Sequence, residues 1–231
     1  MRRHRGVLLI PPRGPLVFPD PRSADAGGLV AVGGDLSPQR LLLAYDRGIF
    51  PWYDAGYPPC WWSPDPRAIL DPETLHASRS LARALRRGGF ELSWNRDFGR
   101  VMAECGRQRP GGTWIFAEML EAYRRLHQLG HAHSLEVWVD GELVGGLYGV
   151  QRGGLFAAES MFHRRTNASK IALVAAVRSV FAAGIRLFDV QFLTPHLASL
   201  GVFEIPRDEY LARLEAVREL RVDLGRLAAR T

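Results

Sequence analysis

Lysine, cysteine and metal-binding motifs are scarce in this 231-residue sequence. Lys170 is the only lysine, and the two cysteines, Cys60 and Cys105, lie far apart and form no CxxC pair. The histidines stand in no HExxH pattern, so the sequence predicts no metal site and no cofactor. This use of cysteine is typical of a reducing compartment and argues against a small disulfide-stapled secreted domain.

Long uninterrupted hydrophobic runs are also missing. The most apolar stretch, residues 171–188, contains Arg178 and Arg186, and it is too short and too charged to span a bilayer. The apolar run at residues 7–10 is shorter than the roughly 7–15 residues of a signal-peptide core. We therefore expect a soluble, cytoplasmic protein that does not bind membranes.

Positive charge is carried almost entirely by arginine. The net charge is +6 and the sequence pI is about 9.9. A basic surface favours an acidic partner such as a nucleic acid, and the planar arginine fork matches phosphate groups. A coding bias toward arginine would give the same composition, so composition alone leaves both explanations open.

The order of apolar and turn residues predicts two parts. Residues 1–65 are rich in proline, glycine and tryptophan and contain one clear helix, with Ser37 as its cap, Pro38 at its first position and Gly48 at its end. We place a domain boundary near residue 65, which divides the chain into a small N-terminal domain and a catalytic domain at 66–231.

The second part alternates helical and strand-like segments. Asp140-Gly141 is a strong hairpin signal between two strands, and an antiparallel meander followed by a helix and another strand indicates an α+β fold, with a mostly antiparallel sheet flanked by helices. We predict helices at 80–87, 96–105, 117–129, from a cap at Ser169 to Gly184, and after Pro206, and strands at 90–94, 133–139, 142–150, 155–162 and 185–192.

Three polar residues interrupt apolar strands. Glu159 follows Phe156-Ala157-Ala158, and Asp189 and Gln191 alternate with apolar neighbours, which predicts that both project from one face. A carboxylate among apolar residues is costly unless it is paired or functional. The three are candidate catalytic residues, and a solvated sheet face is the alternative.

Aromatic and arginine patterns supply candidates for nucleic-acid binding. Flat rings near proline and glycine stack on unpaired bases, although packing between domains would explain them equally. Arginines at i, i+4, i+7 and i+8 form one helical stripe that fits a phosphate backbone or an ordinary solvated helix face. The aromatic candidates are Trp52, Trp61, Trp62, Trp114 and Tyr123, and the stripe consists of Arg79, Arg83, Arg86 and Arg87.

Several blocks, in order along nearly the whole chain, resemble the leucyl/phenylalanyl-tRNA–protein transferase family. Such long blocks make a chance resemblance implausible. They are GLVAVGGDLSPQRLLLAYDRGIFPWY at 28–53, WWSPDPRAIL at 61–70, LHASRSL at 75–81, GTWI at 112–115, EAYRRLHQLGHAHSLEVW at 121–138, LVGGLYGV at 143–150, ESMF at 159–162, NASK at 167–170 and ASLG at 198–201.

The resemblance implies an N-acetyltransferase-like larger domain and a bacterial cytoplasmic enzyme. Such an enzyme transfers leucine or phenylalanine, with methionine as a further candidate, from aminoacyl-tRNA to proteins that begin with arginine or lysine, which marks them for N-degron proteolysis. We expect a monomer that needs no cofactor.

The resemblance also assigns residues. Trp52, Trp114 and Tyr123 are expected at the terminal adenosine of the tRNA. Glu159, Asp189 and Gln191 are expected at the reacting groups, with Asp189 polarising the Gln191 amide. The stripe of four arginines is expected to hold the tRNA backbone. The pocket for the amino-acid side chain would consist of Leu147, Phe156, Met161, Leu173 and Phe188.

Three positions depart from the family pattern, and three other functions compete. Ala158, His163 and Thr194 stand where glycine, serine and asparagine are expected, which affects strand geometry and one polar contact. The alternatives are an acyl-CoA N-acetyltransferase, a peptidoglycan-type aminoacyltransferase and a non-enzymatic tRNA-binding protein. Residues 164–169 lack the glycines of a pyrophosphate loop, which argues against the first.

Overall fold

A computed structural model describes residues 3–4, 7–107 and 113–230, without the side chains of residues 3, 4 and 228–230. Gly112, the first residue of the GTWI block, lies outside the described residues. The described chain contains seven α-helices and twelve strands in two sheets. The α+β class expected from the sequence is confirmed.

The helices are α1 Pro38–Tyr45, α2 Arg79–Arg87, α3 Phe98–Arg107, α4 Ala117–Gln128, α5 Ala168–Ala183, α6 Pro195–Ala198 and α7 Arg207–Val217, and two 3-10 helices lie at Pro21–Ser23 and Leu224–Arg230. The strands are β1 Arg3–His4, β2 Val7–Ile10, β3 Leu29–Gly33, β4 Phe50–Pro51, β5 Cys60–Trp62, β6 Arg67–Ile69, β7 Glu91–Trp94, β8 Ala132–Val139, β9 Glu142–Arg152, β10 Leu155–His163, β11 Leu187–Gln191 and β12 Phe203–Ile205.

The strands form a small and a large sheet. The small sheet has the order β1-β2-β3-β5-β4 and the large one β12-β6-β11-β10-β9-β8-β7. In the large sheet β10 and β11 run parallel, and the other described pairs are antiparallel. One buried core cluster contains Trp61 of the small sheet together with Tyr123 of α4. Because this cluster includes residues from both predicted parts, it does not separate them, and the domain boundary near residue 65 stays a prediction.

Local sequence signals predicted the bounds of most helices and strands to within a few residues of those observed. The Ser37 hydroxyl accepts the Arg40 N–H at the start of α1. Asp140 and Gly141 have φ values of 53° and 77°, as a tight hairpin turn requires. The predicted cap of α5 is wrong: Asn167 occupies the cap position with φ 68°, and Ser169 is buried inside the helix.

The strands β10 and β11 separate after a short paired segment. Their pairing ends where Ala157 lies opposite Asp189. Beyond that point β10 is bulged between Ala158 and Ser160, and Gln191 adopts φ 63°, in the left-handed region that few non-glycine residues occupy. Because a bulge bends its strand, the two strands diverge and leave space between them.

A buried ion pair lies at the closed end of this opening, where β10 and β11 are still paired. Arg67 of β6 donates from Nε and Nη2 to the two Asp189 carboxylate oxygens at 2.8 and 2.6 Å, and both side chains are 1% exposed. Arg67 Nη1 donates to the Gly48 carbonyl oxygen at 3.0 Å, and the Tyr210 hydroxyl donates to Asp189 at 3.0 Å. Burial alone would lower the pKa of Arg67, but Asp189 and Tyr210 hold it above its ordinary value.

Removal of Asp189 should destabilise the protein strongly. Asp189→Ala leaves the Arg67 charge buried without its partner, which costs about 3–5 kcal/mol of unfolding free energy. As a matched control, Glu91→Ala breaks an exposed pair with Arg96 at 2.8 Å and should cost about 0–1 kcal/mol. Chemical denaturation measures both. Equal losses in the two variants would contradict a structural role for the buried pair.

Candidate active site

Glu159 lies at the bulge of β10, where it enters the opening between β10 and β11. The Tyr45 hydroxyl donates to its Oε1 atom at 2.8 Å, and the Tyr123 hydroxyl donates to Oε2 at 3.4 Å. The two tyrosine hydroxyl oxygens are themselves 2.6 Å apart, and because each hydroxyl has one proton, the phenols can donate in only two of these three contacts at a time. Both tyrosines are at most 2% exposed, so the carboxyl group is held from behind by a buried pair of hydroxyls.

The surroundings of Glu159 favour its neutral form. Burial raises the pKa of Glu159 to about 8, the hydrogen bond from Tyr45 opposes the rise, and the negative charge of Asp189 adds to it. The positive charge of Arg67 and the Tyr123 hydrogen bond oppose it as well. A carboxyl group whose pKa lies near neutrality can gain or lose a proton under physiological conditions, which suits acid–base chemistry.

Asp189 and Gln191 have different surroundings. The Asp189 carboxylate faces Arg67 and Tyr210, and it accepts the Gln191 backbone N–H at 2.9 Å. The Gln191 side-chain amide instead donates from Nε2 to Glu159 at 3.4 Å. This corrects the expectation that Asp189 polarises the Gln191 amide: the bulge and the left-handed backbone at Gln191 direct the two side chains to different partners.

Two cavities meet at Glu159. One, of about 260 Å³, has an apolar wall, and we call it the side-chain cavity. The other, of about 370 Å³, is lined by aromatic rings, and we call it the aromatic cavity. The residues that line both are Glu159, Val190, Gln191, Thr194 and Leu197. Glu159 and Gln191 therefore lie where a ligand that fills both cavities would pass from one to the other.

The residues assigned to the side-chain pocket divide between the side-chain cavity and the core. Leu147, Met161 and Leu173 line the side-chain cavity. Phe156 and Phe188 are fully buried, with ring centroids 5.4 Å apart, and they do not line it. They belong to the segment where β10 and β11 are still paired, so they lie beneath the cavity and not in its wall.

The predicted adenosine-binding aromatics also divide. Trp52 and Trp114 line the aromatic cavity, and Trp52 is 44% exposed with its ring centroid 5.4 Å from that of Phe192. Tyr123 is buried behind Glu159 and does not reach the cavity. Trp61 is a core residue whose indole N–H donates to the Gly33 carbonyl oxygen. Trp62 donates its indole N–H to the Trp52 carbonyl oxygen.

Tyr45 and Arg67 were not among the candidates from the sequence. Both lie inside blocks that carry the family resemblance, and an arginine between apolar strand residues is the signal that could have identified Arg67. Of the departures, Thr194 caps α6 by accepting the Leu197 N–H and lines both cavities. Ala158 lies at the bulge of β10, and His163 is exposed at its end.

The four arginines of the stripe lie on α2, and their side chains are exposed. Arg83 and Arg87 also line a groove of about 330 Å³ that Arg165 borders near the start of α5. In the described part of the chain none of the four forms an ion pair. The stripe is therefore available to a polyanion.

The described residues contain no cluster of three or more side chains of the metal-ligating types. None of the helices in this part of the chain has the length and apolar character needed to cross a membrane.

Comparison with known proteins gives matches over most of the chain. The family model for leucyl/phenylalanyl-tRNA protein transferase matches residues 69–215, and the model for the N-terminal domain of these proteins matches residues 34–65. A leucyl/phenylalanyl-tRNA–protein transferase of Citrobacter koseri is 53% identical over 90% of this chain and 89% of its own. One from Escherichia coli is 53% identical over 92% and 89%.

Similarity to solved structures is much lower. A GCN5-related N-acetyltransferase from Sphaerobacter thermophilus is 19% identical with a TM-score of 0.37, over 80% of this chain and 60% of that one. The aminoglycoside N-acetyltransferase AAC(6')-Iy is 15% identical with a TM-score of 0.34, over 47% and 80%.

Loss of the Tyr45 hydroxyl should raise the pKa of Glu159 still further. The hydrogen bond from Tyr45 stabilises the ionised carboxylate, so Tyr45→Phe favours the neutral form. Carbon NMR of carboxyl-labelled protein follows the titration, and the Glu159 signal is the one that Glu159→Gln removes. The control is Tyr53→Phe, because the buried Tyr53 hydroxyl has no hydrogen-bond partner among the described residues. An unchanged midpoint in Tyr45→Phe would contradict the assigned contact.

Proposed function

We infer the substrates and mechanism from one premise: the chain belongs to the leucyl/phenylalanyl-tRNA–protein transferase family. It is therefore an aminoacyltransferase that moves leucine or phenylalanine from charged tRNA to the N-terminus of a protein. This membership decides against the N-acetyltransferase, the peptidoglycan-type enzyme and the non-enzymatic tRNA-binding protein. The acceptors that we propose are proteins beginning with arginine or lysine, tagged by a cytoplasmic monomer for N-degron proteolysis.

The observation that carries the mechanism is the meeting of an apolar and an aromatic cavity at Glu159 and Gln191. An aminoacyl-adenosine has matching parts: an apolar side chain, a reactive ester and a flat base. The side chain would occupy the cavity lined by Leu147, Met161 and Leu173. Stacking of the adenine ring on the aromatic wall contributes about 1–3 kcal/mol per base. The ester would then lie beside Glu159 and Gln191.

The reaction is aminolysis of an activated ester, so it requires no ATP. The nucleophile is an α-amino group with a pKa of about 7.7–8.0. Alignment of the amine with the ester can supply about 7–11 kcal/mol. We assign Gln191 to orient the amine by hydrogen bonding and the ionised form of Glu159 to attract the cationic N-terminus. Asp189 acts as a positioning residue, because it holds the Gln191 backbone N–H and the β6–β11 contact.

The exposed stripe on α2 supplies the contact with the rest of the tRNA. Phosphate contacts position a nucleic acid without reading its sequence. Arg79, Arg83, Arg86 and Arg87 are assigned to the backbone of the tRNA acceptor stem. A minimal aminoacyl-adenosine would fill the two cavities and would not need the stripe.

One assay tests the transfer and its side-chain preference. Enzyme, leucyl-tRNA and peptides beginning with arginine or lysine should give peptides extended by one leucine, identified by mass spectrometry. The same tRNA charged with isoleucine should react about 10–200-fold more slowly, because one misplaced methyl group in a close-fitting pocket costs about 1–3 kcal/mol. A peptide with a blocked N-terminus is the control. Equal transfer of leucine and isoleucine would contradict the pocket, and failure to extend any peptide would contradict the function.

Replacement of the four stripe arginines should weaken the binding of charged tRNA much more than the binding of an aminoacyl-adenosine analogue. Each lost phosphate contact reduces the slope of log K against log salt by about 0.7–0.9, so four lost contacts flatten it by about 3. Binding across a salt series measures the slope. The control replaces four other exposed arginines, Arg124, Arg125, Arg178 and Arg221. If both quadruple variants flatten the slope equally, the stripe is an ordinary charged helix face.

A further inference from the structure

We propose that Glu159 takes the proton from the α-ammonium group of the acceptor and so generates the nucleophile for the transfer. This inference rests on the proposed function, and it gives Glu159 a chemical role in addition to the attraction of a cation. Three features of the described structure support it: the position of the carboxyl group, its partners and the enclosure of the other nearby carboxylate.

Position singles out Glu159. Among the described residues that line the two cavities it is the one carboxylic acid, and it belongs to both. A proton acceptor must reach the nitrogen that attacks the ester. In the proposed pose the ester lies where the cavities meet, so the attacking nitrogen approaches the same place.

Asp189, the other nearby carboxylate, is closed to substrate. Its side chain is 1% exposed and lines neither cavity. Its oxygens accept hydrogen bonds from the Arg67 guanidinium, the Tyr210 hydroxyl and the Gln191 backbone N–H. A carboxylate enclosed by these partners has no route to the substrate amine.

The charges around Glu159 suit a proton acceptor near neutrality. Its partners are the Tyr45 hydroxyl from α1, the Tyr123 hydroxyl from α4 and the Gln191 amide from β11. Behind them lie the opposed charges of Arg67 and Asp189, beside the neutral phenol of Tyr210. Burial first, and then Asp189, raise the pKa of Glu159 to about 8. The raised pKa lies closer to the α-amino pKa of about 7.7–8.0 than that of an ordinary carboxyl group does, so Glu159 is the stronger base toward the ammonium group.

The protons of the reaction balance. The bound ammonium gives one proton to the Glu159 carboxylate, which leaves a neutral amine and a neutral carboxylic acid. The amine nitrogen attacks the ester carbon, and the bond from that carbon to the ribose oxygen breaks. A second proton leaves the nitrogen and ends on the departing ribose oxygen, which becomes a hydroxyl group. The proton held by Glu159 passes to solvent after the product leaves.

His196 is the competing base. It lines the side-chain cavity, and burial, followed by the positive charges of Lys170 and His163, lowers its pKa. A neutral imidazole could accept a proton as well. Its surroundings differ, however, because the Gln191 amide and the two buried tyrosine hydroxyls form their hydrogen bonds with Glu159.

The test compares two acceptors at saturating charged tRNA and peptide. For the peptide with an α-amine, Glu159→Gln should lower kcat at pH 7 by about 5–10-fold, because an amine with a pKa of about 7.7–8.0 is already neutral in roughly 10–20% of molecules at that pH. The loss should shrink at pH 9, where an amine with a pKa of about 7.7–8.0 is already neutral. For a peptide whose N-terminal nitrogen is an aminooxy group, neutral at pH 7, the variant should react at nearly the wild-type rate.

Three outcomes would overturn the proposal. Normal kcat with a raised KM would show that Glu159 only attracts the cation. An equal loss with both acceptors would show a positional role. A change in the ratio of amine to aminooxy rates in His196→Gln, with none in Glu159→Gln, would assign the proton to His196. Thermal unfolding of Glu159→Gln checks that the variant is folded. If wild-type enzyme transfers nothing, the proposed function fails, which is a separate result.

Discussion

The contact between Arg67 and Asp189 is the constraint on which the rest of the site depends. One guanidinium group joins β6, β11 and the turn after α1, and its faces lie 4.8 and 4.4 Å from the ring centroids of Phe50 and Tyr210. Burial of two charges is costly unless their hydrogen-bonding capacity is used well. Here the donors of Arg67 and the oxygens of Asp189 all have partners, so the pair fixes the strands from which the opening begins.

The same ion pair also influences the pKa of Glu159, which lines the two cavities. Asp189 repels a negative charge on Glu159, and Arg67 attracts it. Because the two charges lie together, their effects on Glu159 partly cancel, and burial decides the direction of its pKa. The site therefore contains two carboxyl groups with different surroundings: Asp189 is paired with an arginine, whereas burial, opposed by hydrogen bonds from two tyrosines, raises the pKa of Glu159 to about 8.

Local sequence signals were sufficient to predict the helices and strands, but they did not predict how deeply each side chain is buried. Ser37 and Pro38 predict α1, and Asp140-Gly141 predicts the hairpin, because helix capping and turn formation depend on only a few neighbouring residues. The Arg67–Asp189 contact joins residues 122 positions apart and has no local signal. The family resemblance assigned both Phe156 and Met161 to the pocket, yet the point at which β10 and β11 separate decides that Met161 lines the cavity while Phe156 lies beneath it.

The shared wall of the two cavities has a consequence for redesign of the enzyme toward unnatural amino acids. Val190, Thr194 and Leu197 line both cavities, so a replacement that enlarges the space for one part of the ligand also reshapes the space for the other. Substitutions at such shared positions are not additive. Leu147, Met161 and Leu173 line the side-chain cavity and not the aromatic one. In the proposed binding mode, they are the positions at which amino-acid selectivity can be altered while the recognition of the nucleotide is preserved.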